Sequence, residues 1–419
     1  MASYKEALEL ILTNTPVMDT EEKPVSQSVG QVLADGAYAN YDLPQSDSAG
    51  PDGYAVQAAD IQTASNDYPV ALRITETVRA GHLPKSPVES GTAMRIMTGA
   101  VLPDGADCVV RFEDTDEPPD KNGPNKNNPA EVRIYVSVPP GGNINKAGGN
   151  IARGSLILSR GKEIGPAQVS ALTSVGCATV KVTRRPVIAV LSTGDELVNS
   201  GGPLPPGKVY DCNGPAIAAL VEHYGGKVIM LGIAQDDEES LQAKIKEGLQ
   251  ADALILSGGV SKGDYDLVRL TIVKLGELKF ARVKMVPGAS VSFGTIIKHP
   301  NTSKAISIPV FALAGPPTGC LINFETLVRP AIIKMLGHTV LDHPTVTAMA
   351  QEAIPAKRVM FAKWTELKKV GGEYRIKLSN ISMATANSLT LIPEDYEVQP
   401  GTAMSVLPLD WCRNSQGNF

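Results

Sequence analysis

No run of about 20 apolar residues occurs anywhere in the 419-residue chain, so no membrane-spanning helix is expected. No basic stripe occurs either. The net charge is -5, which argues against a general nucleic-acid binder but leaves room for a local pocket that takes a small anion. The first residues, MASYKEALELIL, lack the pattern of a signal peptide and read as an amphipathic helix. The five cysteines, Cys108, Cys177, Cys212, Cys320 and Cys412, are scattered, and no pair has metal-ligand spacing. An odd, scattered set argues against a disulfide framework and points to a reducing cytoplasm. No solenoid-type repeat is present.

What the chain does contain is 43% hydrophobic and 20% charged residues, the balance of a soluble globular protein too long for a single core. Residues 3–13 are predicted helical. Between about 45 and 150, short strand-sized pieces alternate with Gly and Pro turns, which predicts a small β unit. From 187 the texture changes. VIAVL, AIAALVEHY, KVIML, a helix near 239–250, ALILS and a helix near 265–275 alternate strand and helix. That alternation predicts an α/β unit with a doubly wound parallel sheet. After Leu336 the pieces RVMFAKWTEL, EYRIKL, SLTLIP and AMSVLPL predict a second β unit.

Two stretches carry the chemistry. VIAVL ends in STGDEL (192–197), and ALIL ends in SGGVSKGDYD (257–266). In an open α/β sheet, ligands bind beyond the carboxyl ends of strands. Small residues there let backbone N–H groups approach a ligand, and a helix N-terminus behind them favours an anion. SGGVSKGD therefore reads as an oxyanion or phosphate cradle. The acids Glu196, Asp264 and Asp266 are of the type that holds Mg2+ beside bound phosphate. Each cluster alone also reads as a helix cap or a plain turn. Their occurrence on two strands of one sheet is what points to a site.

Taken with GKVYDCNGPAIAALVEHYG, LGIAQDD, DGYAV (52–56), RIMTGAVLPDGADCVVRFEDT (95–115), GPAQVSALTSVGCATVKV (165–182) and SMATANSLTLIP (382–393), these stretches resemble the molybdenum-cofactor insertase family. That family comprises bacterial MoeA, the corresponding plant E domain and the gephyrin E domain. The resemblance covers nearly the whole chain and implies four domains. Residues 1–44 with 150–185 would form the first, and 45–149 a β insertion. Residues 186–338 would form the α/β domain, and 339–419 a small β-barrel. It implies a homodimer whose cleft joins the third domain of one subunit to the second of the other. It also implies binding of adenylylated molybdopterin, Mg2+-dependent loss of the adenylate, and molybdate insertion. The motif matches imply catalytic roles for Glu196, Asp266, Asp52 and Thr98. They imply substrate binding by Ser192, Thr193, Gly194, Ser257, Gly258, Gly259, Ser261 and Lys262, and metal ligation by Glu196, Asp264 and Asp266. Asp236 falls in the family's RDD region, here QDD.

The departures share a sign. The family's KPGKP reads VPGAS, with Val286 and Ala289 at the lysine positions. LPGNP reads LAGPP and loses its asparagine. RxxGxDI reads NKAGGNI, where Lys146 is the remaining base and Asn150 replaces an acid. SMRSAN has Ala384 in place of arginine, Pro51 precedes DGYAV, and Arg358 lies beside the place of the E-F-x-R arginine. Lys262 adds one charge at the cradle. Losing ammonium groups removes the main attraction for a dianion. Three readings stay open from the residues: a working or weakened insertase, a protein that binds the molybdopterin nucleotide without inserting metal, and a scaffold that uses the fold to hold partner proteins.

Overall fold

The computed structural model describes residues 1–116, 130–259, 267–298, 305–378 and 381–409. The first helix, Tyr4–Thr13, starts on a capping box. Ser3 Oγ accepts from the Glu6 N–H at 3.3 Å, and the Glu6 carboxylate accepts from the Ser3 N–H at 2.8 Å. Two otherwise orphaned donors are thereby occupied. Ala7 and Ile11, one turn apart, form its buried face and share a core with Val328, Ile332 and Met335.

The strand Thr20–Pro24 pairs antiparallel with Thr179–Thr183, residues far apart in the chain. Between them lies a separate five-stranded sheet in the order Cys108–Arg111, Gly53–Val56, Thr92–Ile96, Val70–Val78, Glu131–Ile134. Its residues alternate between two cores. Tyr54 and Val56 join Ile61, Leu72 and Ile134 on one face, while Ala55 joins Met94, Ile96 and Val109 on the other.

The α/β unit is a six-stranded sheet ordered Lys227–Ala234, Val187–Thr193, Ala253–Ser257, Ile306–Leu313, Ser292–Lys298, Gly276–Phe280. The first four strands are parallel and the last two antiparallel. Helices cover both faces. Ile188, Val190 and Ile255 pack with Ile217 and Val221 of helix Asn213–His223. Ala189, Leu191 and Leu254 pack with Leu241 and Ile245 of helix Glu238–Gly248 and with Val268 and Ile272 of helix Leu267–Leu275. Each such side chain contributes roughly 1.5–3 kcal/mol on burial. Both faces need apolar residues, which is why these strands read as unbroken apolar runs. At the foot of the sheet, Arg184 grips Asp252 through both guanidinium arms, at 2.6 and 2.7 Å. Asp252 also accepts from the Val187 N–H at 2.8 Å, aligning the starts of two central strands.

The last unit is a closed barrel. Met360–Val370 pairs with Glu373–Lys377, which pairs with Val346–Ala350, which pairs with Ala403–Pro408, which pairs with Ser388–Ile392, which returns to Met360–Val370. Closure leaves no free edge. The short strand Met285–Val286 of the α/β unit lies alongside Met360–Val370, with Val286 opposite Phe361. The chain is thus an α/β sheet flanked by β units, as its texture predicted.

Candidate active site

The site lies where the chain order of the sheet reverses. After the strand Val187–Thr193, the chain crosses to Lys227–Ala234 on one side and then to Ala253–Ser257 on the other. Helix Asn213–His223, after Thr193, covers one face of the sheet and helix Leu267–Leu275, after Ser257, the other, so the carboxyl ends of these two strands mark the crevice that is the usual ligand position in such sheets. Ser192 and Ser257 are register partners at its floor. They are 1% and 2% exposed.

Glycine geometry shapes the cradle. Gly258 has φ +91° and Gly259 φ +66°. A Cβ on Gly258 would stand 2.3 Å from the Thr193 carbonyl oxygen, so the SGG loop presses its backbone directly onto the end of the neighbouring strand. The Gly258 N–H is turned onto the Leu313 carbonyl at 3.4 Å. The Gly259 N–H has no partner among the described residues. Ser261, Lys262, Asp264 and Asp266, to which the resemblance gives binding and metal roles, lie outside the described residues.

STGDEL departs from expectation in one respect. No helix follows it. The next helix begins at Asn213, and the intervening stretch forms only the short pair Leu197–Val198 with Val209–Tyr210. The stretch NSGGPLPPGK is too rich in Gly and Pro for a helix to start there. Neither a helix dipole nor a capping role explains Thr193, Asp195 or Glu196. Thr193 and Asp195 pair with Asp236 instead. Thr193 Oγ1 donates to Asp236 Oδ1 at 3.1 Å, the Asp195 N–H donates to Oδ2 at 3.4 Å, and the Asp236 N–H donates back to Asp195 Oδ1 at 3.1 Å. Lys208 Nζ donates to the Asp195 carbonyl. This net holds the turn so that Glu196 projects over Gly194, whose Cβ would stand 2.6 Å from Glu196 Oε2. The Glu196 side chain is exposed, and its carboxylate accepts no hydrogen bond among the described residues. Asp236→Ala removes the two hydrogen bonds that its carboxylate accepts at an exposed turn. It is expected to lower stability by only about 1 kcal/mol. The clearer effect is faster hydrogen exchange of the Asp195 amide, read by deuterium uptake over 193–197.

The structure brings Asp52 and Thr98 together. Asp52 Oδ1 accepts from both the Thr98 N–H (2.7 Å) and the Thr98 hydroxyl (2.8 Å). Both residues are exposed on the five-stranded sheet, and among the described residues no hydrogen bond ties them to the α/β crevice. Among the described residues no three His, Cys, Asp or Glu side chains gather as a metal-binding group.

The VPGAS stretch packs near the Gly315 loop through Asn323, which bonds both Ala314 and Gly288. Gly288 of VPGAS, at φ +98°, sits against Asn323, which donates to the Gly288 carbonyl at 2.9 Å. The asparagine position of the family's LPGNP turn, expected at Pro317, falls one residue earlier, at Pro316, just ahead of helix Pro317–Asn323. Lys146 is committed to Asp47 at 2.7 Å, and that contact holds the Asp47 carboxyl below its ordinary range. Sequence reasoning missed two features. Asn213 and Asp211 cover the floor of the crevice: Asn213 reaches Ser257 and Gly315, and Asp211 accepts from the Gly214 N–H at 3.0 Å. Their signal was the D-C-N triplet at a helix start. The other is Lys363. In M-F-A-K it occupies the arginine position of E-F-x-R, two residues past the Phe361 that faces Val286, whereas Arg358 lies ahead of that strand. Lys357 and Lys363 both lie over the Phe361 ring, at 4.9 and 5.9 Å.

Comparison with known proteins agrees with this geometry. Residues 2–176 match the "MoeA N-terminal region (domain I and II)", and residues 189–334 match the "Probable molybdopterin binding domain". The chain is 32% identical to a molybdopterin molybdenumtransferase of Nostoc sp. over 98% of its own length and 90% of the relative's. It is 32% identical to one from Bacillus subtilis over 81% and 75% of the two lengths. The crystal structure of a molybdopterin biosynthesis MoeA protein from Pyrococcus horikosii superposes with a TM-score of 0.82 at 32% identity, covering 97% of this chain and 99% of that one. The chain belongs to the MoeA family.

Proposed function

We propose that this protein acts in molybdenum cofactor biosynthesis as a molybdopterin molybdenumtransferase. On this reading it binds adenylylated molybdopterin in the switch-point crevice, releases AMP, and transfers molybdate to the dithiolene. The observation that carries the reading is the loop Ser257–Gly259 pressed against Thr193, because it leaves small residues and a backbone amide facing the crevice. Carboxylates suit Mg2+, which commonly takes one or two of them and fills the remaining positions with water and substrate phosphates. Glu196, exposed and uncommitted, fits as one such ligand. Bound there, the cation would neutralise phosphate charge. The protein's own part is to hold phosphate at Gly259 and Ser257, and to orient water beside the Glu196 carboxylate.

We read the chain as working in the cytoplasm, because Cys108, Cys177, Cys212 and Cys320 are free thiols. We read it as a homodimer in which Asp52 and Thr98 enter the crevice of a partner subunit. The domain limits 1–44 with 150–185, 45–149, 186–338 and 339–419 belong to the same reading.

One observation favours a second reading, the scaffold. Val286 and Ala289 supply no charge where molybdate would bind. The deciding experiment mixes the protein with adenylylated molybdopterin, Mg2+ and molybdate, then follows AMP and finished cofactor. AMP with cofactor supports the transferase. AMP without cofactor places the defect in the lost lysines. Neither product, from folded protein, leaves the scaffold. The variant Val286→Lys/Ala289→Lys is expected to strengthen molybdate dependence roughly 10- to 100-fold, since two ammonium groups near a dianion add several kcal/mol before screening. The half-saturating molybdate concentration for cofactor formation checks it.

A further inference from the structure

The amide of Asn213 fixes the direction of a buried hydroxyl. Its Nδ2 lies 2.8 Å from the Gly315 carbonyl oxygen. A carbonyl can only accept, so the atom facing it is the nitrogen, and the amide's orientation follows. The same Nδ2 lies 2.7 Å from Ser257 Oγ. Ser257 therefore accepts from Asn213. The Cys320 thiol approaches Ser257 Oγ at 3.9 Å as a weak second donor. Burial pushes that thiol up to about 12, so it keeps its hydrogen. The Asn213 amide thus occupies one lone pair of Ser257 Oγ, while the Cys320 contact is weak in either direction. Its own hydrogen has no oxygen or nitrogen acceptor among the described residues, only the weak Cys320 sulfur, and the next residues in the chain are the cradle glycines.

We propose that Ser257 is a preset hydroxyl donor to an anionic oxygen of the bound phosphorylated substrate, with Asn213 as the positioning residue that sets its direction. The inference rests on the crevice being the substrate site. It adds that recognition of the oxyanion begins on the floor of the crevice, through a contact that joins the starting residue of helix Asn213–His223 to the loops after two parallel strands. Asn213 also ties the Ser257 loop to the Gly315 loop, and the ideal Cβ of Gly315 would lie 3.8 Å from the Gly258 Cα.

The test reverses the hydrogen bond. In Asn213→Asp the new carboxylate accepts, so the Ser257 hydrogen turns toward it and away from the substrate. Binding of molybdopterin to the full-length protein is measured by pterin fluorescence for wild type, Asn213→Asp, Ser257→Ala, Ser257→Thr and the double variant Asn213→Asp/Ser257→Ala. Ser257→Ala is expected to weaken binding about tenfold or more, the usual worth of a hydrogen bond to a charged group. Ser257→Thr keeps a hydroxyl and is expected to stay within about threefold of wild type. Asn213→Asp should weaken binding at least as much as Ser257→Ala, and the double variant should be no weaker than Asn213→Asp alone. Losses that multiply in the double variant would mean that the new charge merely repels the anion, and the proposal falls. Equal binding by Ser257→Ala and wild type also overturns it. If Asn213→Asp fails to fold by circular dichroism, the contrast of Ser257→Ala with Ser257→Thr decides. Absence of binding by wild type would overturn the functional reading and this inference with it.

Discussion

Gly258→Ala is expected to abolish molybdopterin binding and to lower the melting temperature of the α/β unit by about 6–12 °C. Two independent terms add. At φ +91° a residue with a Cβ is strained by roughly 1–2 kcal/mol. The Cβ would also stand 2.3 Å from the Thr193 carbonyl oxygen, a backbone atom that cannot rotate away. Relief requires the Ser257 loop to lift off the strand Val187–Thr193, which brings the total to about 3 kcal/mol, near 2–4 °C each for a unit of this size. Gly401→Ala separates the terms. It too has a positive φ, +87°, but its Cβ would meet nothing within 4 Å. It should cost about 1 kcal/mol and leave binding unchanged. Thermal melting by circular dichroism and pterin fluorescence read both variants. Equal effects from the two would remove the close approach as the reason for glycine at 258.

The contrast marks what was legible in the sequence. VIAVL and ALILS read as buried parallel strands because both faces of the sheet take apolar side chains, and they form Val187–Thr193 and Ala253–Ser257. The pairing of Asp52 with Thr98 was not legible, since 46 residues separate them and each was singled out only by its own motif. The switch point was not legible, because it depends on the order of strands in space. Neither was the clamp on Ser257, where Asn213 bridges partners 44 and 102 residues away. A helix after STGDEL was expected from the strand-then-helix habit of α/β sheets. Local Gly and Pro overrode that habit, and Asp236, rather than a helix, holds the turn.

Mixing two inactive variants is expected to restore activity. Asp52→Ala and Glu196→Gln each remove a carboxylate from the proposed reaction. Asp52 lies on the five-stranded sheet and Glu196 on the α/β unit, and no hydrogen bond joins the two groups within one chain among the described residues. If the crevice of one subunit is completed by the sheet of its partner, each homodimer of either variant has only defective sites. A mixed dimer is different. One of its crevices collects both substitutions, and the other collects neither. Random reassociation of equal amounts makes half the dimers mixed, so about a quarter of all crevices are intact. AMP release should therefore rise from near zero in each pure variant to about a quarter of the wild-type rate in the mixture. Sites built within a single chain would stay inactive in any mixture, because every crevice would still lack one carboxylate. Restored activity would also show that both acids act in one reaction, since a damaged fold could not be repaired by exchanging partners. Persistent inactivity, in mixtures shown by native mass spectrometry to contain mixed dimers, would mean that Asp52 does not complete the crevice of a partner subunit.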